Sequence, residues 1–263
     1  METVVSPDGT RIACWRSGSG PCLVLVHGTS ANHTRWTSIS PRFEEHFTVV
    51  AVDRRGRGES GDQAEYAIDR EFEDIAAVVD ALHAPVLLFG HSYGAMCALE
   101  AALQTERLAG LILYEPPHVV DNETLYAPGQ LDRLDALLAA GDRGGTVSAF
   151  FTEVVGVPSD QMAIVRSSPA WPGRVAAAHT IVRECHAEES YRLPIDRIRR
   201  LTIPVLLLLG GDSPPFFGKV RSVLEETLPD IRTVVLPGQG HMAMDTGPDL
   251  VVKAVLDFWR DIA

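Results

Sequence analysis

Nowhere in this chain of 263 residues does an apolar run approach the ~20 residues that a membrane-spanning helix needs. No early apolar stretch has a basic start and a small-residue cleavage site, so a signal peptide is not expected and a cytoplasmic location is. Cysteine is scarce. Cys14, Cys22, Cys97 and Cys185 are scattered without metal-ligand spacing, and with no export signal they are expected to be reduced thiols. Positive charge is also short: 23 Lys and Arg stand against 35 Asp and Glu, a formal net charge of -12. That balance argues against nucleic acid or an anionic membrane as partner and leaves a small molecule. Internal repeats and low-complexity tracts are absent too. The length suits one large α/β domain or two small ones.

What is present is an alternation of short apolar runs with helical patterns. Val4-Val5 and Arg11 to Trp15 flank Pro7-Asp8-Gly9, which predicts a hairpin. Cys22 to Val26, Thr48 to Val52, Pro85 to Phe89 and Leu108 to Tyr114 read as strands. Between them, Asp69 to Leu82 places Phe72, Ile75, Ala76 and Val79 at helical spacing, and Tyr93 to Gln104 continues as an alanine-rich helix. Short continuous apolar runs separated by helices predict an α/β fold, a parallel sheet covered on both faces. After Pro116-Pro117 the rhythm changes. Leu131 to Ala140, Thr146 to Val155 and Arg174 to Cys185 look helical, and no strand is expected until Pro204 to Leu209. A helix near Val220 to Leu228, a strand from Arg232 to Leu236 and a helix from Pro248 to Asp261 complete the pattern. We therefore expect a core domain of residues 1–117 and 201–263, interrupted by a helical insertion at 118–200.

The most informative segment is Gly90-His91-Ser92-Tyr93-Gly94, between the apolar run ending at Phe89 and the helix beginning near Tyr93. A Gly-x-Ser-x-Gly on a strand-to-helix turn is a nucleophile elbow: the turn is too tight for a Cβ at either glycine, and the serine hydroxyl is left exposed. A serine becomes a nucleophile only when an imidazole takes its proton. Of the nine histidines, His241 is the best placed, after a strand and the turn Pro237-Gly238-Gln239-Gly240. The loop His27-Gly28-Thr29 follows a strand and can give a backbone N–H to an oxyanion, and Tyr93, next to the serine, can give another. Asp53 to Gly61 contains a Gly-x-Gly-x-x-Gly. No helix opens at its third glycine and no acidic residue ends a second strand about twenty positions on, so a dinucleotide site is rejected. It is read as a structured turn whose arginines face solvent or neighbouring loops.

Taken together and in order, His27-Gly28, Asp53 to Ser60 (DRRGRGES), Gly90 to Ala95 (GHSYGA) and Gly238 to His241 (GQGH) resemble the α/β-hydrolase superfamily. The resemblance covers nearly the whole chain and is strongest to the esterase, lactonase, thioesterase and carbon-carbon hydrolase branch. It implies the α/β-hydrolase fold, a mostly parallel twisted sheet flanked by helices, with residues 118–200 where the family inserts its cap. By the same resemblance Ser92 is the nucleophile, His241 the base, and the amides of Thr29 and Tyr93 the oxyanion hole. Dehalogenases and epoxide hydrolases of this fold carry aspartate where Ser92 stands, which argues against both reactions. The catalytic acid departs from the pattern. Its common place, the third residue after the strand-end Gly210, is Ser213; Asp212 falls one position short, and Glu115, in LILYEPP, ends the preceding strand. The reading leans to Glu115 and keeps Asp212 open.

Such a triad performs acyl transfer through a covalent acyl-serine, with no metal or cofactor required. The expected substrate is a small or medium, largely apolar carboxylic ester. Thioester hydrolysis, lactone opening and retro-Claisen cleavage on the same residues are alternatives, and a non-catalytic ligand-binding protein on the same fold is a third class. Tyr126, Phe150, Phe151, Trp171 and Trp36 are candidate pocket aromatics, and Arg197-Ile198-Arg199-Arg200 is read as solvated. The oligomeric state is not legible.

Overall fold

A computed structural model describes residues 1–120 and 123–263. Eight strands form one sheet: β1 (Glu2–Val5), β2 (Arg11–Gly18), β3 (Cys22–Val26), β4 (Thr48–Val52), β5 (Val86–His91), β6 (Leu108–Tyr114), β7 (Val205–Gly210) and β8 (Ile231–Leu236). Their order is β1-β2-β4-β3-β5-β6-β7-β8. β1 and β2 form the expected hairpin, β2 also runs antiparallel to β4, and the remaining pairings are parallel. The chain turns from β4 on one side of β3 to β5 on the other. The crevice at the carboxyl ends of β3 and β5 is thus the topological switch point where ligands of open α/β sheets bind.

The apolar runs are continuous because both faces are covered. Val86 and Leu88 of β5 enter one core with Val24, Val26, Leu111, Leu113 and Leu207. Leu87 and Phe89 enter the other with Leu23, Leu25, Ile112, Leu206 and Leu208. Alternation along each strand sends successive side chains to opposite faces, so both sets must be apolar. The first face is covered by α2 (Ile68–Asp80), α3 (Tyr93–Ala102) and α10 (Phe216–Thr227). The second is covered by the short α1 (Ser40–Phe43), α11 (Ala243–Thr246) and α12 (Pro248–Ile262). Cys97 lies on α3 and is fully buried in the first core, and all four cysteines are buried and free.

Between β6 and β7 the described residues form helices and no strand: α4 (Gln130–Ala139), α5 (Arg143–Ala149) running into a π-turn at Phe150–Val154, α6 (Met162–Ser167), α7 (Trp171–Ala176), α8 (Ala178–Ser190) and α9 (Ile195–Ile198). Positions 121 and 122 of the expected insertion lie outside the described residues. The segment has its own small core, in which Leu134, Val147, Phe150, Phe151, Ile181 and Cys185 pack together.

The turn after β4 corrects the sequence reading. Its arginines do not face solvent: Arg54 and Arg55 are 1% exposed and Arg57 is 4% exposed. Arg54 forks onto Glu71 of α2 through Nε–Oε2 and Nη2–Oε1, both 2.8 Å, and its Nη2 also lies 2.9 Å from Glu184 of α8. Arg55 forks onto Asp74 of α2 at 2.7 and 2.8 Å, and Arg57 pairs with Glu184. Burying a charge costs several kcal/mol unless it is paired and hydrogen-bonded. The partners that permit this burial come from 17 to 130 positions away, beyond the reach of a local reading. Through Glu184 this cluster ties the helical segment to the sheet.

Candidate active site

Ser92 sits between the last residue of β5 and the first of α3 with φ 56° and ψ -128°, a left-handed conformation that L-residues rarely adopt. The flanking glycines are required sterically. A Cβ on Gly90 would stand 2.5 Å from Ala95 Cα, and one on Gly94 would stand 2.8 Å from the carbonyl carbon of His27. The Ser92 amide donates to the Tyr114 carbonyl at 2.8 Å, which pins the elbow to the end of β6. Its Oγ makes no hydrogen bond among the described residues, and Ser92 and His241 together line a cavity of about 430 Å³.

Register across the sheet places the acid. His91 pairs with Tyr114, so Ser92 and Glu115 leave their neighbouring strands at the same level. Glu115 also has positive φ, 47°, and is fully buried. Its two carboxylate oxygens have separate tasks. Oε1 accepts from the Gly210 amide at 2.7 Å, and Oε2 lies 2.6 Å from His241 Nδ1. A carboxylate only accepts, so Nδ1 carries the proton and Nε2 is left as the basic nitrogen. Asp212 is exposed; its amide donates to the Gln239 carbonyl at 2.8 Å, and its carboxylate makes no hydrogen bond among the described residues. The structure thus brings Glu115, and not Asp212, to the imidazole. Ser213, at the usual acid position, buries its hydroxyl without a partner.

The His241 loop is held by three groups that the motif reading passed over. His91 donates from Nε2 to the His241 carbonyl at 2.9 Å. Burial, then the nearby His241 and Arg35, push the His91 pKa well below 6.5, so it acts as a neutral tether. The Tyr114 hydroxyl donates to the Gly240 carbonyl and accepts from the Ala243 amide at 3.3 Å. Phe217 stacks on the His241 ring with centroids 5.4 Å apart and planes 13° apart. His91 lies inside the elbow motif and Tyr114 beside Glu115, so both were adjacent to residues singled out; Phe217 gave no signal.

On the other side, Gly28 approaches the elbow closely: a Cβ there would meet Ser92 Cβ at 2.8 Å. Neither the Thr29 nor the Tyr93 amide donates to an acceptor outside the regular elements among the described residues, and Thr29 lines the cavity. Ser30, next in the chain, has φ 63° and is braced by Arg174, whose Nη1 donates to the Ser30 carbonyl at 2.8 Å and to its hydroxyl at 2.9 Å. His27 is fully buried. Its Nε2 accepts from the Arg54 amide at 3.2 Å, its Nδ1 meets the Gly28 carbonyl at 2.8 Å, and burial lowers its pKa well below 6.5.

Of the candidate aromatics, Tyr126, Phe150 and Phe151 line the cavity. Trp36 is fully buried against Phe89 and His91, and Trp171 packs within the helical segment. The arginines of the 197–200 run are exposed, with Arg197 and Arg199 paired to Glu100 and Asp196, whereas Ile198 within it is fully buried in the first core. The cavity residues that carry no sequence signal include Arg35, Arg174 and Glu188. Burial pushes the Glu188 carboxyl well above 4.5, and the Tyr126 hydroxyl donates to it. Among the described residues no group of three or more His, Cys, Asp or Glu is arranged to hold a metal ion, and no helix is long and apolar enough to cross a membrane.

Residues 23–254 match the Alpha/beta hydrolase family. The chain belongs to the α/β-hydrolase family. This α/β hydrolase is similar to a structure of an alpha/beta hydrolase from Sphaerobacter thermophilus, with 41% identity, a TM-score of 0.85, and coverage of 98% of this chain and 100% of that one. It is 27% identical to 2-(acetamidomethylene)succinate hydrolase from Mesorhizobium japonicum over 92% of this chain and 88% of that protein. An esterase from a Rhodococcus species shares the fold, at 23% identity and a TM-score of 0.78 over 100% of this chain and 99% of that one.

Proposed function

We propose that the protein is a serine hydrolase that cleaves a small or medium carboxylic ester through an acyl-serine intermediate. The observation that carries this reading is the shared cavity: Ser92 lines it together with His241, whose Nδ1 is held by a buried carboxylate. In the proposed cycle His241 Nε2 takes the Ser92 proton as Oγ bonds to the substrate carbonyl carbon. The oxyanion is received by the amides of Thr29 and Tyr93, at the N-terminus of α3, where the helix dipole favours negative charge. Collapse breaks the bond to the leaving alkoxide, which takes the proton from His241. A water, deprotonated by the same imidazole, then attacks the acyl carbon; collapse breaks its bond to Oγ, which takes the proton back from His241, and the carboxylic acid leaves. Glu115 fixes the tautomer and stabilises the imidazolium in both halves. Leu125, Phe150, Phe151, Val154 and Val155 give the cavity an apolar wall suited to an acyl or alcohol chain.

The same residues suit a thioester, a lactone, a carbon-carbon bond beside a ketone, or an amide on a succinate frame such as the Mesorhizobium relative's name specifies. A panel of 4-nitrophenyl esters, acyl thioesters, lactones, diketones and N-acyl enamines separates them. The proposal expects turnover of a short 4-nitrophenyl ester, an acyl adduct on Ser92 seen by intact mass, and a loss on the order of 10⁶ in kcat for Ser92→Ala. Absence of turnover across the panel overturns it in favour of a binding protein.

A further inference from the structure

Two guanidiniums line the cavity, Arg35 and Arg174, and the proposed ester chemistry uses neither. Arg174, from α7, lines both the cavity around Ser92 and a second one of about 670 Å³ that adjoins it at Ala31, Arg35 and Arg174. The other guanidiniums of these walls are neutralised: Arg35 by Asp245 at 2.6 Å and Arg57 by Glu184. Arg174 has no carboxylate partner among the described residues. Its Nη1 is engaged by Ser30, its Nε is buried with no acceptor, its Nη2 makes no hydrogen bond among the described residues, and its guanidinium lies over the Phe151 ring at 4.9 Å.

Leaving a partly buried guanidinium without a counter-charge is costly, and pairing it with a carboxylate offsets part of that cost. On the edge left without hydrogen bonds Nε is buried, so Nη2 is the donor that a carboxylate in the cavity meets first, and a fork with Nε needs a small turn of the guanidinium. Among the described residues the nearby carboxyls are engaged or neutral, Asp245 being paired with Arg35. Glu188 is pushed by burial toward its neutral form, Glu115 is turned away onto His241 and Gly210, and Glu123 pairs with Lys219. Burial, then Arg35, lower the Arg174 pKa only to about 10, so it is cationic at neutral pH. The chain as a whole carries -12, so its overall field repels an anion and the attraction must be local.

We propose that Arg174 is a specificity-determining residue that binds a carboxylate of the substrate, so that the preferred ester is a half-ester or otherwise carries a free acid. This rests on the serine-hydrolase reading for the chemistry, though not for the binding. A purely structural alternative exists, because Arg174 also braces Ser30 beside the oxyanion loop. The test must therefore read a preference and not a rate alone.

Two substrate pairs serve: 4-nitrophenyl hydrogen glutarate against its methyl ester, and 3-acetoxybenzoate against its methyl ester. They place the carboxylate on the acyl and on the leaving side. The wild-type enzyme is expected to favour the free acid in kcat/KM by at least about tenfold in one pair, and Arg174→Gln to reduce that ratio on the order of 10- to 100-fold, the range of a hydrogen bond to a charged group. Arg174→Lys, which keeps the charge and loses the fork, is expected to retain part of the preference. No wild-type preference, or an equal loss for both members of a pair in Arg174→Gln, overturns the proposal and leaves Arg174 as a brace. Binding of glutarate to Ser92→Ala by calorimetry stands apart from turnover. If glutarate binds and Arg174→Gln abolishes binding while no ester is cleaved, the anion site holds and the hydrolase reading fails. If esters are cleaved with no acid preference, the reverse is true.

Discussion

Glu115→Gln changes one oxygen to nitrogen at the buried end of the proposed triad. The substituted amide keeps an oxygen able to accept from Gly210, where Oε1 now lies 2.7 Å from the amide nitrogen. Its other end becomes an NH₂ facing His241 Nδ1, where Oε2 now lies at 2.6 Å. An NH₂ donates, so the imidazole moves its proton to Nε2 to offer Nδ1 as acceptor. Nε2 then confronts Ser92 as a donor and cannot take the serine proton. The expected loss is about 10⁴ in kcat, or about 5.4 kcal/mol at ~1.36 kcal/mol per decade. KM is expected to stay within threefold, because the cavity walls are untouched. The assay is 4-nitrophenyl butyrate hydrolysis at pH 8, with circular dichroism to check that the variant is folded. Asp212→Asn serves as the comparison and is expected to be within twofold of wild type, since Asp212 is exposed and its carboxylate makes no hydrogen bond among the described residues. A folded Glu115→Gln retaining more than a tenth of kcat, or a 10⁴-fold loss in Asp212→Asn, refutes the assignment.

Three further outcomes follow from the same geometry. Burial raises the Glu188 carboxyl well above 4.5, so its stabilising contribution is complete below the unfolded value of about 4.5 and is lost as pH rises toward the folded value. Glu188→Gln should therefore gain on the wild type in urea midpoint from pH 5 to pH 8, and a gap that does not change with pH contradicts this. Tyr114→Phe removes the hydroxyl that bridges Gly240 and Ala243, with an expected cost of about 1–3 kcal/mol in urea unfolding; an unchanged midpoint contradicts it. Gly28→Ala places a methyl 2.8 Å from Ser92 Cβ and 3.3 Å from its Oγ. The folded variant should lose about 10² in kcat through misplacement of the nucleophile, and wild-type turnover would show that the elbow tolerates displacement.

The strands were legible because burial on both faces leaves only apolar side chains in β3 and in Val86 to Phe89 of β5. The elbow was legible because its backbone strain dictates glycine at two fixed places, Gly90 and Gly94. Glu115 was readable as a candidate only by position. What singles it out in space is the left-handed turn at φ 47° and a hydrogen bond to Gly210, 95 residues away, and neither leaves a local mark. The buried arginines after β4 show the limit plainly. An arginine-rich turn resembles a solvated one until Glu71, Asp74 and Glu184 are folded against it. Arg174 fell in a stretch read as one helix, whereas the structure breaks it at Ala177 between α7 and α8 and turns the arginine toward Ser30. The expected cavity aromatics divided by neighbourhood: Phe150 and Phe151 reach the cavity from a π-turn, while Trp36 fills the core beneath it.

The central claim is that Ser92 is chemically activated by His241. A fluorophosphonate probe read by intact mass tests it without knowledge of the substrate. The account predicts one adduct per wild-type chain at neutral pH, none on Ser92→Ala, and labelling slowed by orders of magnitude on His241→Ala. No adduct on the folded wild-type protein, or equal labelling of Ser92→Ala, would contradict it.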